Sequence, residues 1–209
     1  MSSLSPVAGG FALMASLIVA VGAQNTFVLR QGLRGEHVGA VVLFCIAADV
    51  TLMAAGVAGL GAAVGRVPGL SAALTAGGAA FLGWYAVAAL RRSLRPGTLV
   101  AESAGGAVPL RATLGRAAGF TLLNPHVYLD TVLLLGSVSA ALAAGERPGF
   151  LLGASLASAS WFVALGYGAR LLAPLFRRPV AWRLLDGAVA LTMAILALAL
   201  ARQVLTGVP

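Results

Sequence analysis

The stretch AAGFTLLNPHVYLDTVLLLGSVSAALAA, residues 117–144, decides the fold of this chain. It is almost wholly apolar and is longer than the roughly 20 residues that a helix needs to cross a bilayer's hydrocarbon core. Asn124, Pro125 and Asp130 stand near its middle, where polar groups are costly in lipid. The stretch therefore predicts a membrane-spanning helix that is interrupted by a polar motif.

Five further stretches are long and apolar enough to cross a membrane: Val7–Leu29, Val38–Val64, Leu70–Leu90, Phe150–Ala169 and Leu184–Ala201. Hydrophobic residues make up 60% of the chain and charged residues only 10%, against about 25% charged in soluble domains. Composition and pattern together predict an all-α membrane protein with six transmembrane helices.

The longest connection, residues 91–116, contains Pro96, Gly97 and Pro109 and predicts a flexible linker between two halves. Residues 7–90 then form a first three-helix repeat and residues 117–201 a second, within a single domain that covers residues 1–209. An odd number of spans gives the halves opposite orientations, as in transporters built from inverted repeats.

The arginines predict the orientation in the membrane. The net charge is +8, all 14 basic residues are arginine, and 11 of them fall in loops one, three and five. The positive-inside rule places these loops in the cytoplasm, so both termini lie outside if all six spans cross. Because the arginines occupy short loops between apolar spans, we expect membrane lipid rather than nucleic acid as their surroundings.

Two carboxylates fall near the centres of predicted spans, Asp49 in the second and Asp130 in the fourth. Each costs roughly 2.5–3.5 kcal/mol on insertion scales, so something must compensate for it. One explanation is a structural hydrogen bond to a neighbouring helix, and the other is a cation or proton site that faces an aqueous cavity. Asp186 follows Arg183 by three residues, which predicts a local ion pair instead of a site.

Asn124 and Pro125 predict the start of a half-helix inside the fourth span. Proline breaks or kinks a helix, while Asn is a good N-cap and Pro is favoured at the first helical position. The free N–H groups and positive dipole end of such a half-helix attract an anion, for which an α-carboxylate is suited. The alternative is an ordinary proline kink that neighbouring helices satisfy.

Two neighbours of this motif carry further hypotheses. His126 and Asp130 are four residues apart and share a helical face. The pair could carry a coupling proton, or His126 could bond to a backbone carbonyl, and both interpretations stay open. Tyr128 lies on a different face, where it either contacts substrate or only caps the pocket.

The first span has its own polar cluster, residues 22–26. Gly22 permits a distorted backbone, Asn25 predicts the cap of a second half-helix, and Gln24 lies between them. A helix end or a helix interface is the alternative interpretation. In the fifth span, Ser158 and Trp161 are interpreted as packing residues.

Other features restrict the class of protein. Glycines at GxxxG spacing, such as Gly149 and Gly153, favour close helix packing and permit a homodimer. Cys45 is the only cysteine, so the chain forms no internal disulfide. The sequence lacks the HExxH, GxSxG and P-loop motifs and any Cys/His cluster. We therefore expect neither an enzyme nor a bound cofactor or metal.

At these motifs the chain resembles the lysine/arginine exporter family of the LysE type. The matching stretches are Gly22–Gly32, Asp49 with Gly56 and Val57, Leu123–Thr131, and Ala157–Phe162. With the six-span layout, the resemblance covers essentially the whole chain, and the motif of the fourth span is its most specific part. Ala23 and Leu123 depart from the family, which often has proline and tryptophan at these positions.

The resemblance implies export of L-arginine and L-lysine across a bacterial plasma membrane, driven by the proton gradient. It supports roles for Asn25, Asp49, Asn124 and Asp130. The predicted substrate site comprises Gln24, Asn25, Asp49, Asn124, Pro125, Tyr128 and Asp130, and the predicted proton-coupling groups are Asp49, His126 and Asp130. Two alternatives stay open, an exporter of neutral amino acids and an exporter of divalent metal cations on the same fold.

Overall fold

The computed structural model describes residues 5–19, 22–59, 70–94, 108–122, 125–176 and 178–206. Its longer helices are α1 (Pro6–Ile18), α2 (Ala23–Arg34), α3 (Val38–Val57), α4 (Leu70–Leu94) and α5 (Leu110–Leu122). They are followed by α6 (Pro125–Tyr128), a π-helical segment (Leu129–Leu134), α7 (Leu135–Ala140), α8 (Arg147–Gly168), a 3₁₀ turn (Ala169–Leu172), α9 (Ala173–Phe176) and α10 (Pro179–Thr206). The described residues are thus helical, and the predicted all-α membrane fold is confirmed at this level.

Several helices match the predicted spans. Among the described residues, three runs are long and apolar enough to cross a membrane: Val38–Val57, Arg147–Phe176 and Pro179–Arg202. The pair formed by α1 and α2 makes a fourth candidate if the two helices are taken as one bent span. Apolar helices of this length support a multi-pass membrane protein. The full count of six spans stays a prediction.

The first predicted span is bent. Helices α1 and α2 differ in direction by 83°, and the break between them falls at residues 19–22. The expected cap of the second half-helix is wrong, because α2 begins at Ala23 with Gly22 as its N-cap. Asn25 lies in the first turn, and its side-chain amide donates to the Ile18 carbonyl at 2.8 Å. This bond satisfies a carbonyl at the end of α1 that the helix itself leaves free.

The fourth predicted span is distorted at its motif. Helix α5 ends at Leu122 and α6 begins at Pro125, while Asn124 lies outside the described residues. The Tyr128 hydroxyl donates to the Leu122 carbonyl at 2.8 Å, across a spacing of six residues. Helix α6 runs directly into the π-helical segment, where the N–H of Leu135 bonds to the carbonyl of Asp130, five residues earlier.

Close crossings hold the bundle together. Helix α1 packs along α8, α3 packs against α8, α5 and α7, and α4 packs along α10. A side chain on Gly10 or Gly153 would collide with backbone atoms of the opposite helix, so α1 and α8 touch through glycine. Gly56 and Gly136 do the same for α3 and α7. Gly153 therefore serves packing within the chain, as its GxxxG spacing indicated.

Candidate functional site

A small cavity lies where α1, α2, α3, the α6–π segment and α10 meet. Its volume is about 80 Å³, which is space for several water molecules. Its polar lining comes from Gln24, Asn25, Asp49, Asp130, Thr131 and Thr192. Apolar side chains such as Met14 and Met193 complete the wall. Both acids that the sequence places in apolar spans therefore face the same cavity.

Asp49 is held by neutral neighbours. Its side chain is 3% exposed, and the Ser158 hydroxyl of α8 donates to Asp49 Oδ2 at 2.9 Å. The Gln24 side chain lies next to Asp49, and its amide nitrogen is buried without a hydrogen-bond partner among the described residues. Buried polar groups are nearly always paired, so an unused donor beside a carboxylate is a mark of a binding site.

The π-helical segment positions Asp130. A π-helix fits one extra residue into its turn, which rotates the side chains that follow and is frequent at functional sites. The next residue, Thr131, donates its hydroxyl to the Val127 carbonyl at 2.6 Å. Val127, Asp130 and Thr131 all reach the cavity wall through this distorted turn.

The beginning of α2 supplies backbone donors. The first bond of the helix runs from the Thr26 N–H to the Gly22 carbonyl at 3.0 Å. The N–H groups of Ala23 and Gln24 precede this bond, in the first turn, where a helix leaves its N–H groups without partners of its own. Because Gly22, Gln24 and Asn25 line the cavity, the positive end of the α2 dipole lies beside two carboxylates.

The structure brings together four of the predicted site residues, Gln24, Asn25, Asp49 and Asp130. Tyr128 uses its hydroxyl on the Leu122 carbonyl, so it closes a helix end. Pro125 is the first described residue of α6, and the prediction that it starts a half-helix depends on residues before it that lie outside the described part of the chain. The predictions for Asn124 and for the His126 side chain fall outside the described part of the chain.

Two residues that were interpreted as packing belong to the support of the site. Ser158 bonds to Asp49, and the Trp161 indole N–H donates to Asn25 Oδ1 at 3.2 Å. They are three residues apart on α8 and therefore share one face. The sequence indicated that this hydroxyl and this indole need hydrogen-bond partners, because both lie in an apolar span. It did not indicate which residues those partners are.

The interpretation of Asp186 as a local ion pair with Arg183 is wrong. Asp186 is fully buried, and its Oδ1 accepts from Arg30 Nη2 at 2.6 Å and from Arg92 Nε at 3.2 Å. These arginines belong to α2 and α4, so the carboxylate of α10 joins three helices. Helical spacing predicted a neighbour in sequence, whereas two guanidinium groups from other helices compensate the buried charge more fully.

Comparison with known proteins shows the family of this chain. The family described as LysE type translocator matches residues 15–204. Proteins of Mycobacterium bovis and Mycobacterium tuberculosis, each named "Putative amino-acid transporter", are 47% identical over 183 residues, covering 86% of this chain and 89% of theirs. No solved structure matches the chain. The match spans nearly the whole chain and both halves of the cavity, and the protein therefore belongs to the LysE-type translocator family of membrane transporters.

Proposed function

We propose that this protein exports L-arginine and L-lysine from the bacterial cytoplasm in exchange for protons. The observation that carries the proposal is the pair Asp49 and Asp130 in the wall of one cavity, beside the free end of α2. Amino-acid transport is the activity of the family, and the cationic substrates follow from the charges of the site.

The charges match a cationic amino acid better than a neutral one. Arginine and lysine carry two positive groups, the α-ammonium and the side chain, and the cavity wall offers two carboxylates. A neutral amino acid has only one positive group to set against these two carboxylates. Two cationic groups therefore match the charges of the cavity wall more fully than one does.

The α-carboxylate of the substrate has a place of its own. The free N–H groups at the start of α2 and the positive end of its dipole attract an anion. The unused amide nitrogen of Gln24 adds a side-chain donor at the same position. Because Asn25 is engaged with Ile18 and Trp161, it holds the bend that presents these donors.

Exchange for protons offsets the electrical work of exporting a cation. Moving one positive charge out of a cell against an inside-negative potential costs about 2.3 kcal/mol per 100 mV. Returning one proton for each exported cation removes this cost and lets the pH gradient drive export. An aspartate that binds either a proton or the substrate cation provides this exchange, and Asp49 is our assignment for it.

We propose that access alternates by relative movement of two inverted halves. In an inverted repeat, a twofold axis makes span one equivalent to span four, span two to span five and span three to span six. A contact between spans one and five is then equivalent to a contact between spans four and two. The contacts of span three with span six and of span two with span five are each equivalent to themselves. The helix contacts support this arrangement, and spans one and four are both distorted near a polar motif. The cavity of about 80 Å³ is below the roughly 300 Å³ of ordinary ligand sites, so it must widen to admit substrate.

Transport of labelled arginine by purified protein in proteoliposomes tests the proposal. We expect efflux to require a pH gradient and to be inhibited by lysine and canavanine. Asp49→Asn and Asp130→Asn should each abolish gradient-driven efflux, because one substrate cation loses its counter-charge. Glu146→Gln is the matched control, since it makes the same chemical change on an exposed acid outside the cavity.

The outcome separates the alternatives. Full gradient-driven arginine efflux by Asp49→Asn would refute the assignment of that acid. Inhibition by threonine but not by lysine would favour a neutral amino-acid exporter, and inhibition by cadmium would favour a metal exporter. A pH-sensitive dye inside the vesicles reports whether one proton enters for each arginine that leaves.

A further inference from the structure

A cluster of one buried carboxylate and two partly buried arginines lies outside the cavity, on the helix ends that join loops one, three and five. Asp186 of α10 accepts from Arg30 of α2 and from Arg92 of α4. Arg30 also stacks on Trp182, with 5.5 Å from its guanidinium carbon to the ring centroid, and Arg92 stacks on Tyr85 at 5.4 Å. The cluster therefore joins both halves of the protein on the side that we assign to the cytoplasm.

On both α2 and α10, the cluster lies beyond the cavity wall, towards loops one and five. On α2, Arg30 follows Gln24 of the cavity wall by six residues, and on α10, Asp186 precedes Thr192 of the wall by the same number. At 1.5 Å per residue, each separation is about 9 Å along the helix. Buried apolar residues of α4 and α10, among them Tyr85, Ala89 and Val189, form one packed cluster with Met193 of the cavity wall. The ionic cluster and these apolar residues together separate the cavity from this side of the protein.

Some hydrogen-bonding groups of the cluster have no partner in the described part of the chain. Arg30 Nε, Arg92 Nη2 and Asp186 Oδ2 are buried, and none has a hydrogen-bond partner among the described residues. Each unmet group costs free energy that water or a ligand would recover on opening. Two donors and one acceptor are also the complement of an α-amino-acid head group, whose carboxylate accepts and whose ammonium donates.

We propose that Arg30, Arg92 and Asp186 form the cytoplasmic gate of the transport path, and that the head group of the amino acid opens it by replacing their ion pairs. The proposal rests on the proposed direction of export. The substrate carboxylate takes the two guanidinium groups while its ammonium takes the second oxygen of Asp186. The head group then moves about 9 Å to the cavity and the ion pairs re-form behind it.

The single cysteine provides a reporter that needs no engineering. Cys45 is fully buried and lies one helical turn before Asp49 on α3, towards loop one. A reagent that enters past an open gate reaches this thiol before it reaches Asp49. Since the chain has no other cysteine, labelling by a membrane-impermeant methanethiosulfonate measures gate opening independently of transport.

Labelling is measured in inside-out and right-side-out vesicles. We expect Asp186→Asn, which leaves two arginines facing each other, to raise the rate of Cys45 labelling at least about tenfold in inside-out vesicles only. Arg92→Gln should raise it less, because the Arg30 bond persists. Arg91→Gln is the matched control, as it removes an exposed arginine from the adjacent position on α4.

Two results would overturn the gate. One is labelling of both Asp186→Asn and Arg92→Gln at the wild-type rate, and the other is equal acceleration from both faces. If Asp186→Asn does not elute as a folded protein from size exclusion, Arg92→Gln decides alone. Because labelling does not require transport, these outcomes are separate from failure of the arginine efflux assay.

The role of the head group has its own test in Asp49→Asn vesicles, where loss of the cavity site prevents substrate from shielding Cys45. L-arginine should accelerate labelling there, whereas agmatine, which lacks the α-carboxylate, should not. Equal acceleration by the two compounds, or none by arginine, would refute the head group as the opening ligand.

Discussion

Replacing Ser158 by alanine tests whether the hydroxyl of α8 holds Asp49 in its place in the cavity wall. Ser158 is fully buried, and its hydroxyl donates to Asp49 Oδ2 at 2.9 Å. Without this donor, the carboxylate either stays unsatisfied or turns away from its position. Both outcomes weaken the site that we assign to a substrate cation.

The size of the effect follows from the charge of the acceptor. A hydrogen bond to a charged group contributes about 1.5–3 kcal/mol. At about 1.4 kcal/mol for each factor of ten, this energy corresponds to a loss of about 10- to 150-fold in affinity for arginine. The free energy of unfolding should fall by an amount within the same range, because the buried oxygen loses its partner.

The assay is arginine efflux from proteoliposomes over a range of internal concentrations, with thermal unfolding in detergent measured in parallel. Ser160→Ala is the matched control on the same helix, since the Ser160 hydroxyl bonds only locally, to the Ala157 carbonyl at 2.9 Å. If Ser158→Ala and the control have the same arginine affinity and the same unfolding midpoint, then Ser158 does not position Asp49.

Three further predictions concern the surroundings of the cavity. Trp161→Phe removes the donor to Asn25 and should lower stability by about 0.5–1.5 kcal/mol in thermal unfolding; an unchanged midpoint would contradict this. Gln24→Leu removes an amide nitrogen that has no partner within the described ranges, so it should weaken arginine binding while leaving the unfolding midpoint unchanged or higher. A fall in the unfolding midpoint together with the fall in arginine affinity would point to a structural role. Gly56→Ala places a methyl carbon 2.7 Å from backbone oxygens and should abolish folding, whereas Gly119→Ala, in open space, should express as wild type.

The cavity acids could be predicted because charge is rare and costly in apolar spans. Asp49 and Asp130 stand out from their surroundings, so the sequence alone predicted that each needs either a hydrogen-bond partner or a polar cavity. A distortion of the fourth span near Pro125 was predictable for a similar reason, since proline cannot continue a regular helix, and the described turn that follows is π-helical. Each of these inferences needs only the chemistry of a single residue type inside a lipid bilayer.

Partnerships between distant residues could not be predicted in this way. Asp186 lies 156 residues from Arg30 and 94 from Arg92, and no local pattern joins them. The same is true of Ser158 and Asp49, which are 109 residues apart. The role of Asn25 was also missed, because the amide reaches back to α1 only after the chain bends by 83°. Each contact depends on how helices cross.

Comparison of the buried acids shows which of them is free to serve a substrate. Asp186 has two guanidinium groups within 3.2 Å, so its charge is compensated by the protein and it acts as structure or gate. Asp49 is as deeply buried, yet its hydrogen-bond donor is the neutral Ser158, and the Gln24 side chain beside it is also neutral. A carboxylate kept in a low-dielectric interior without a permanent cation is stable only when a mobile one, a proton or a substrate, can reach it. This difference in partners, rather than burial alone, is the reason for assigning transport to Asp49 and closure to Asp186.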